Sequence, residues 1–329
     1  MIRFGVVGTN FITEQLLDST KELSDFTFCA VYSRTEERAK EFAAKHGAST
    51  IFTNLEEMAK SKDIDAVYIA SPNSFHASQA ILFLKNGKHV LCEKPLASNT
   101  AEVVAMQTAA KENNVLLMEA MKPTLMPNFK SIQENLHKIG KVRRYVGSYC
   151  QYSSRYDAYK QGTILNAFNP SFSNGSLMDL GVYCIYPLVV LFGKPQEIEA
   201  TAIMLDSGVD GQGSVLLQYK DMEAVIQYSK ITNSYLPSEI QGEEGSIIID
   251  KISTPDKVEI RYRDGRIESI STQQEHQPMY YEVEEFISLI KNGQTESKVN
   301  SFLHSRMTAE ITDEVKKQIG LIYPADQQI

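Results

Sequence analysis

The stretch IRFGVVGTNFIT, residues 2–13, reads as a short apolar strand that runs into a glycine turn and then into a helix. In the G-x-G-x-x-G pattern of dinucleotide-binding turns, Gly8 takes the first glycine position, and Asn10 and Thr13 take the other two. Asn10 is the non-glycine residue that best tolerates a left-handed backbone, and Thr13 is small enough for a helix to pack near the strand. The turn therefore suits a pyrophosphate at a helix start, but it also suits a strand-turn-helix that binds nothing.

The residues up to about 120 alternate between short β-branched runs and amphipathic helical patterns. This alternation predicts an α/β domain, a doubly wound parallel sheet of the Rossmann type. The predicted strands are 2–8, 26–33, 49–52, 66–71, 89–93 and 115–120. Two helices carry end signals: Gly47 should end the helix in EERAKEFAAKHG, and Asn99, three residues before Glu102, should begin another.

After about residue 122 the pattern changes to strand runs joined by tight turns, which predicts a mostly antiparallel sheet and an α+β second domain. The tyrosines between 145 and 159 recur at helical spacing, but the Val, Tyr and Gly content favours a strand over 142–153. Two late helical patterns, YYEVEEFISLIKNG and SRMTAEITDEVKKQIG, are expected to pack against the sheet or against the first domain. We therefore expect a dinucleotide-binding domain at 1–121 and a second domain at 122–329.

The composition suggests a globular protein of about two domains, with 43% hydrophobic and 22% charged residues among 329. A formal charge of −8 disfavours nucleic acid and anionic membranes as partners, so a small molecule is expected. Four widely spaced cysteines, and no basic segment before a long apolar stretch, predict a reduced, cytoplasmic protein without a membrane span.

Several kinds of chemistry have no motif in this sequence. The six histidines form neither H-x-H nor H-E-x-x-H, and no acidic cluster has calcium-loop spacing, so no metal is expected. The P-loop pattern G-x-x-x-x-G-K-[ST] and the nucleophile pattern G-x-S-x-G are absent as well. Phosphoryl transfer and serine hydrolysis therefore have no support.

The end of the second predicted strand, AVYSRTEER, carries Ser33 and Arg34 where a carboxylate normally receives the adenosine ribose. A guanidinium beside a hydroxyl suits a 2′-phosphate, so NADP(H) is favoured and NAD(H) remains possible. Arg38, one helical turn further on, would add charge. The alternative is an arginine that is merely solvated at a helix start.

Polar residues also follow the fourth and fifth predicted strands, in IASPNSFH and VLCEKPLA. Because carboxyl ends of parallel strands form the ligand crevice of open α/β sheets, these residues should gather at one edge. The expected cofactor-binding set is Gly8, Thr9, Asn10, Phe11, Ile12, Ser33, Arg34, Arg38, Ser71, Pro72, Asn73, His76, Glu93 and Lys94.

Together with NGSLMDLGVYCIYP in the second half, these segments resemble the GFO/IDH/MocA oxidoreductases. The resemblance covers essentially the whole chain: the glycine turn, SPNSFH, EKPLA, GSLMDLGVY and the closing EITDEVKKQIG. The sequence is most similar to the dimeric dihydrodiol dehydrogenase branch, whose last catalytic motif reads G-V-Y-C rather than G-x-H. The resemblance implies a Rossmann domain followed by an open-faced mixed sheet, a nicotinamide cofactor, and a homodimer or homotetramer formed through that sheet.

The resemblance also implies a catalytic set of Lys94, Asp179 and Tyr183. Asp179 and Tyr183 are four residues apart, so they share one face if the segment is helical. Tyr183 would exchange the hydroxyl proton, Lys94 would favour its phenolate and stabilise an oxyanion, and Asp179 would orient substrate hydroxyls or the tyrosine. Each residue also has a structural alternative: a surface lysine, a core tyrosine, or an aspartate that pairs locally.

Glu119, in LMEAMKPT, resembles a family position near the nicotinamide. The tryptophan and arginine that often follow it in the family are here Lys122 and Thr124, which leaves the substrate class open. The leading hypothesis is an NADP(H)-dependent dehydrogenase or reductase of a small polyhydroxylated alcohol or carbonyl, such as a sugar, an inositol or a cyclic diol. The alternative is a non-catalytic NADP-binding regulator or scaffold on the same fold.

Overall fold

The computed structural model describes residues 1–327, so residues 328–329 of the predicted second domain lie outside it. The chain divides into two compact units. The first unit consists of Met1–Ala120 and His276–Ser305, and the second consists of Met121–Glu275 together with the chain after Ser305. The predicted division assigned both late helices to the second domain, and on this point it was wrong for 276–305.

The bounds of the elements are as follows. The strands are β1 Ile2–Val7, β2 Phe26–Tyr32, β3 Thr50–Phe52, β4 Ala66–Ile69, β5 His89–Glu93, β6 Leu117–Ala120, β7 Val142–Cys150, β8 Glu197–Met204, β9 Asp210–Gln218, β10 Glu223–Ser229, β11 Ser238–Gly242, β12 Gly245–Ile249, β13 Val258–Tyr262 and β14 Ile267–Ser269. The α-helices are α1 Phe11–Ser19, α2 Glu36–His46, α3 Leu55–Lys60, α4 His76–Lys85, α5 Thr100–Glu112, α6 Pro127–Asn135, α7 Tyr156–Lys160, α8 Val182–Phe192, α9 Pro278–Lys291 and α10 Phe302–Ile319.

The first unit contains a six-stranded parallel sheet in the order β3-β2-β1-β4-β5-β6. All six predicted strands are present, and the Rossmann topology is confirmed. β4, with the sequence AVYI, is buried along its whole length, as expected for a parallel strand that is covered on both faces. The strand order reverses at β1, which lies between β2 and β4. The ends of β1 and β4 therefore flank the point where such sheets bind ligands.

The predicted helix ends of this unit are also confirmed. Gly47 adopts a left-handed conformation after α2, and its N–H donates to the carbonyl of Ala43. Asn99 caps α5, because its side chain accepts from the N–H of Glu102 at 2.9 Å.

α9 belongs to the first unit because its apolar face packs against that unit. The rings of Phe286 and Phe4 lie 5.8 Å apart, and both side chains are buried. The helix is tied at its end by Lys291, which pairs with Asp25 at 2.7 Å. The division between the units falls within α10, after Ser305. An amphipathic pattern shows that a helix has an apolar face, but not which surface will cover that face.

The second unit contains an eight-stranded sheet in the order β14-β13-β12-β11-β7-β10-β9-β8. β7 and β10 are parallel, and the other neighbours are antiparallel, so the predicted mixed, mostly antiparallel sheet is confirmed. The strand predicted over 142–153 ends at Cys150. The helical spacing of the later tyrosines has its own cause, since Tyr156 and Tyr159 lie in α7.

α8 covers one face of this sheet and belongs to its main hydrophobic core, together with side chains such as Ile226 and Ile240. A π-helical turn, Leu177–Gly181, leads directly into α8. Within residues 1–327, the helical run Pro170–Phe192 is long and apolar enough to cross a membrane, but 78% of its most apolar window is buried inside the protein. Its apolar character is therefore explained by its place in the core.

Candidate functional site

The glycine turn, defined as residues 8–13, is shaped by close backbone contacts with the end of β4. Gly8 has a φ of +112°, and a Cβ at this position would lie 2.7 Å from the carbonyl oxygen of Ala70. Asn10 has a φ of −96° and caps α1, with its Oδ1 accepting from the N–H groups of Ile12 and Thr13. Its Nδ2 donates to the same Ala70 oxygen at 2.7 Å.

Asn10 therefore does not replace a glycine in the way the sequence predicted. The left-handed conformation expected at this position is absent, and an extended capping residue takes its place. Thr13 contributes a further link, because its Oγ1 donates to the carbonyl of Gly8 at 3.0 Å. Hydrogen bonds from Asn10 and Thr13 thus stabilise the turn that two further glycines form in the usual pattern.

The two arginines after β2 differ in their contacts, and only Arg38 binds the glycine turn. Arg38 donates from Nη2 to the carbonyl of Thr9 at 2.8 Å and from Nε to the Thr9 hydroxyl at 3.2 Å. Its Nη1 pairs with Glu41 at 2.8 Å. Arg34 is exposed and makes no hydrogen bond or ion pair within residues 1–327. The guanidinium of Arg34 is therefore available to an anionic ligand, while that of Arg38 is committed to the turn.

The segments after β4 and β5 are joined by His76. Its ring is 1% exposed, with Nε2 2.9 Å from the carbonyl of Ser71 and Nδ1 2.9 Å from that of Pro95. Burial lowers the pKa of His76, so its ring is neutral at pH 7 and donates to one of the two carbonyls. His76 thus holds the two loops together, and a direct contact with a cofactor stays a prediction.

Lys94 follows β5 and is half-buried. The peptide bond between Lys94 and Pro95 is cis. Glu93, before it, is buried and accepts hydrogen bonds from the Tyr68 hydroxyl and from the N–H of Lys94. The backbone N–H of Lys94 is therefore held by the carboxyl group of the residue before it.

Glu119 is a second buried carboxyl group at the end of a strand. Its Oε1 accepts from the N–H of Leu96 at 3.0 Å, and Ser305 donates a side-chain hydrogen bond to it. Burial raises the pKa of Glu119 from its ordinary value of 4.5 to about 7. The backbone after Lys94 is thus held at Leu96 by a carboxyl group whose pKa is about 7.

In the second unit, the aspartate turn, defined as residues 175–183, carries Asp179 and Tyr183. The π-helical turn and α8 form one continuous helical run, so these two side chains lie on the same side of it, as predicted. The Tyr183 ring is buried and packs edge-to-face on Tyr149, with centroids 5.6 Å apart. The predicted proton exchange with a substrate would use the hydroxyl group of this ring.

The aspartate turn rests on a buried carboxylate that the sequence analysis missed. Asp210 accepts from the N–H of Ser176 at 3.1 Å and from that of Leu177 at 2.7 Å. Gly175 permits this approach, because a Cβ there would lie 2.2 Å from Asp210 Oδ1. Burial raises the pKa of Asp210 from its ordinary value of 3.8 to about 6.

A second missed residue, Lys230, pairs with Asp179. Its Nζ lies 2.6 Å from Asp179 Oδ2. The sequence carried one signal for the two missed residues, Asp210 and Lys230. Each is a charged residue at the end of an otherwise apolar strand pattern. An exposed side chain at a strand end produces the same signal.

A cavity of about 480 Å³ opens elsewhere on the first unit. Its lining includes Leu17 of α1, and Phe26 and Phe28 at the start of β2. The predicted cofactor residues follow the carboxyl ends of the strands, so this cavity does not belong to them. Among the described residues, no group of three or more His, Cys, Asp and Glu side chains could hold a metal ion.

Comparisons with known proteins agree with this architecture. A model described as an oxidoreductase family with an NAD-binding Rossmann fold matches residues 2–121, and the GFO/IDH/MocA C-terminal domain matches residues 135–248. A solved structure of a 3-ketoreductase from Actinomadura kijaniata with NADP and TDP-benzene has a TM-score of 0.86 at 24% identity, covering 97% of this chain and 98% of that one. This last likeness concerns the fold.

Relatives from several organisms match this chain over nearly their full length. A scyllo-inositol 2-dehydrogenase (NADP(+)) of Bacillus subtilis is 59% identical over 327 residues, covering 99% of this chain and 100% of that protein. A trans-1,2-dihydrobenzene-1,2-diol dehydrogenase of Xenopus laevis is 31% identical over 336 residues, covering 98% and 99%. These matches confirm the resemblance carried by the motifs, and the chain belongs to the GFO/IDH/MocA family of oxidoreductases.

Proposed function

We propose that this chain is an NADP(H)-dependent dehydrogenase that interconverts a secondary alcohol of a small cyclic polyol and the corresponding ketone. The glycine turn at the switch point of the first sheet is the observation that carries the proposal. Inositols are the first substrates to test, because a relative that is 59% identical is a scyllo-inositol 2-dehydrogenase (NADP(+)). Cyclic diols follow from the trans-1,2-dihydrobenzene-1,2-diol dehydrogenase relative, which is 31% identical. Sugars extend the panel to other small polyhydroxylated compounds.

The residues present fit a dinucleotide phosphate. Gly8 lets the chain pass close to the Ala70 carbonyl, which a Cβ there would meet at 2.7 Å, and this sets the backbone of the turn at the start of α1. The N-terminus of a helix after such a turn is where a pyrophosphate binds. Arg34 offers an exposed guanidinium for a 2′-phosphate. When bound, the nicotinamide supplies the hydride acceptor or donor.

The side chains of this chain supply position, charge and a proton path. Lys94 stabilises negative charge on the reacting oxygen, and Tyr183 exchanges the proton of the hydroxyl group. Asp179 accepts hydrogen bonds from substrate hydroxyls. Lys94 belongs to the first unit and Tyr183 to the second, so their meeting at one substrate is part of the proposal.

We also propose that the chain forms a homodimer or homotetramer through the sheet of the second unit. Ile203 and Met204 of β8 and Leu216 of β9 are exposed large apolar side chains. Covering them with a second copy would remove apolar surface from water. Light scattering of the purified protein tests this assembly, and a monomer at micromolar concentration would contradict it.

A substrate screen tests the reaction. The chain is mixed with NADP+ and, separately, with NAD+, together with scyllo-inositol, myo-inositol, cyclohexane-1,2-diols or aldoses, and the absorbance of reduced nicotinamide is followed. We expect turnover of at least one cyclic polyol, faster with NADP+. Binding of NADPH without turnover of any member of the panel would favour a non-catalytic regulator instead.

A further inference from the structure

Lys230 is a buried lysine directly after β10, outside the residues assigned above to catalysis or cofactor binding. Its side chain is 3% exposed. Its backbone is held on both sides, since its N–H donates to the carbonyl of Gly211 at 2.9 Å and its carbonyl accepts from the N–H of Ser153 at 2.8 Å. The ammonium group therefore projects from a fixed point of the sheet.

Burying an ammonium group is costly unless the group is paired and hydrogen-bonded. Lys230 meets this requirement through Asp179 Oδ2 at 2.6 Å, with the carbonyl of Ala167 at 3.4 Å. The ammonium also lies 5.4 Å from the centre of the Phe168 ring, at a cation–π distance. The environment of the lysine is thus built around one carboxylate.

The two partners of this ion pair differ in exposure. The lysine side chain is 3% exposed, whereas that of Asp179 is 36% exposed. A carboxylate has two oxygens and about four acceptor positions, so a lysine at Oδ2 leaves acceptor capacity for other donors. The pair is therefore anchored on its lysine side and accessible to a ligand on its aspartate side.

Ala167 and Phe168 give the lysine a second connection. They lie in the segment 154–175, whose conformation the sequence did not predict. By contacting both this segment and Asp179, Lys230 links the two. Loss of the ammonium would remove the ion pair to the carboxylate and would loosen that link.

We propose that Lys230 is a positioning residue that fixes the Asp179 carboxylate in one orientation, as the acceptor for hydroxyl groups of the polyol. This role rests on the proposed function. It predicts that Lys230 acts through Asp179, and that it affects recognition of a substrate with several hydroxyls more than binding of the cofactor.

The test compares Lys230→Met with Lys194→Met, since Lys194 forms an exposed ion pair with Glu310 in the same unit. We expect Lys230→Met to lower kcat/KM for the polyol by about 10-fold to 100-fold, mainly through KM, because hydrogen bonds to charged groups contribute about 1.5–3 kcal/mol. The Kd for NADPH, measured by fluorescence, should stay within about twofold. Lys194→Met should leave all of these values unchanged.

A double-mutant cycle separates a positioning role from a general structural one. If Lys230 acts through Asp179, the double variant Lys230→Met/Asp179→Asn should be no worse in kcat/KM than Asp179→Asn alone. Fully additive losses would overturn the proposal. So would a lowered melting temperature of Lys230→Met with unchanged KM, since packing alone would explain that result.

Two further variants keep the test decisive if Lys230→Met does not fold. Lys230→Arg keeps the charge and should retain more activity than Lys230→Gln, which keeps only a neutral donor. A folded Lys230→Gln with wild-type KM would overturn the positioning role while the proposed function stands. A wild-type chain that turns over no polyol would overturn the proposed function, and this role with it.

Discussion

The glycine turn of the first unit and the aspartate turn of the second are built in different ways. The glycine turn depends on backbone geometry, because Gly8 approaches Ala70 closely and Asn10 caps α1. The aspartate turn depends on buried charge, with Asp210 beneath its N–H groups and Lys230 against Asp179. Both turns use distant partners, since Ala70 lies 60 positions from Asn10, and Asp210 and Lys230 lie 34 and 51 positions from the groups they bind. The partner of the glycine turn is a backbone carbonyl, whereas the partners of the aspartate turn are charged side chains.

This difference determines which substitutions each turn tolerates. The glycine turn tolerates a substitution that preserves the backbone at Gly8 and the side-chain hydrogen bonds of Asn10 and Thr13. The aspartate turn tolerates a backbone change only if Lys230 and Asp179 remain paired. An unpaired buried charge costs several kcal/mol of stability. The following predictions test this contrast.

The largest expected effect is at Lys94, whose ammonium group is proposed to stabilise the reacting oxygen. Lys94→Met should lower kcat about 1000-fold, because it removes an ammonium from the reacting oxygen. NADPH affinity, measured by fluorescence titration, should change little. Lys85→Met, an exposed lysine at the end of α4, serves as the control. An unchanged kcat would remove Lys94 from the mechanism.

The next largest effect is expected at Gly8 and tests the role of backbone geometry in the glycine turn. Gly8→Ala should weaken NADPH binding by tens of fold and lower the melting temperature, because its Cβ would meet the Ala70 carbonyl in a strained conformation. Gly47→Ala has a similar positive φ but no heavy atom within 4 Å of the added Cβ. It should therefore cost only about 1 kcal/mol of stability and leave NADPH binding unchanged. Equal losses in the two variants would contradict the importance of the close approach.

The charge of Arg34, after β2, is expected to matter for cofactor choice. Arg34→Ala should weaken NADPH binding about 10-fold to 100-fold, the value of a charge-assisted hydrogen bond, and should leave NADH binding unaffected. Isothermal titration with both cofactors measures this. Arg263→Ala, an exposed arginine of the second unit, is the matched control. A parallel loss for both cofactors would place Arg34 away from the 2′-phosphate.

The smallest expected effect concerns Glu119, the first unit's counterpart to the buried charges of the second. Its pKa of about 7 exceeds the ordinary value of 4.5, so the folded chain holds a proton that the unfolded chain releases between those values. The wild-type free energy of unfolding should therefore fall as the pH rises from 4.5 to 7, relative to Glu119→Gln. Melting temperatures of the two proteins across this range should diverge by a few degrees. Parallel curves would mean that Glu119 titrates normally.

The sequence predicted the first sheet well because each parallel strand there is a local apolar run with a helix after it. It predicted the ends of α2 and α5 for the same reason, since Gly47 and Asn99 act on neighbouring N–H and carbonyl groups. Asn10 was misread because two local roles, left-handed turn residue and helix cap, are open to the same side chain. The local sequence therefore limited Asn10 to these two roles but did not distinguish between them.

The parts that the sequence did not predict depend on distant partners. Lys230 ends an alternating strand pattern and looks like an exposed lysine until the fold places Asp179 beside it. Strands β11 and β14 were not predicted, because each contains a single isoleucine and so shows no alternation of apolar residues. The pairing of α9 with the first unit is a choice between two apolar surfaces, and hydrophobic periodicity carries no information about that choice.

The divided first unit has a consequence for synthesis. Its sheet leaves the ribosome early, but Phe286, which packs on Phe4, is translated only after the whole of 121–275. The nascent Rossmann half must therefore wait, with part of its apolar surface uncovered, while the second unit is made. No single cut in the gene yields both halves intact, so a working Rossmann fragment requires the 276–305 segment to be rejoined to residue 120.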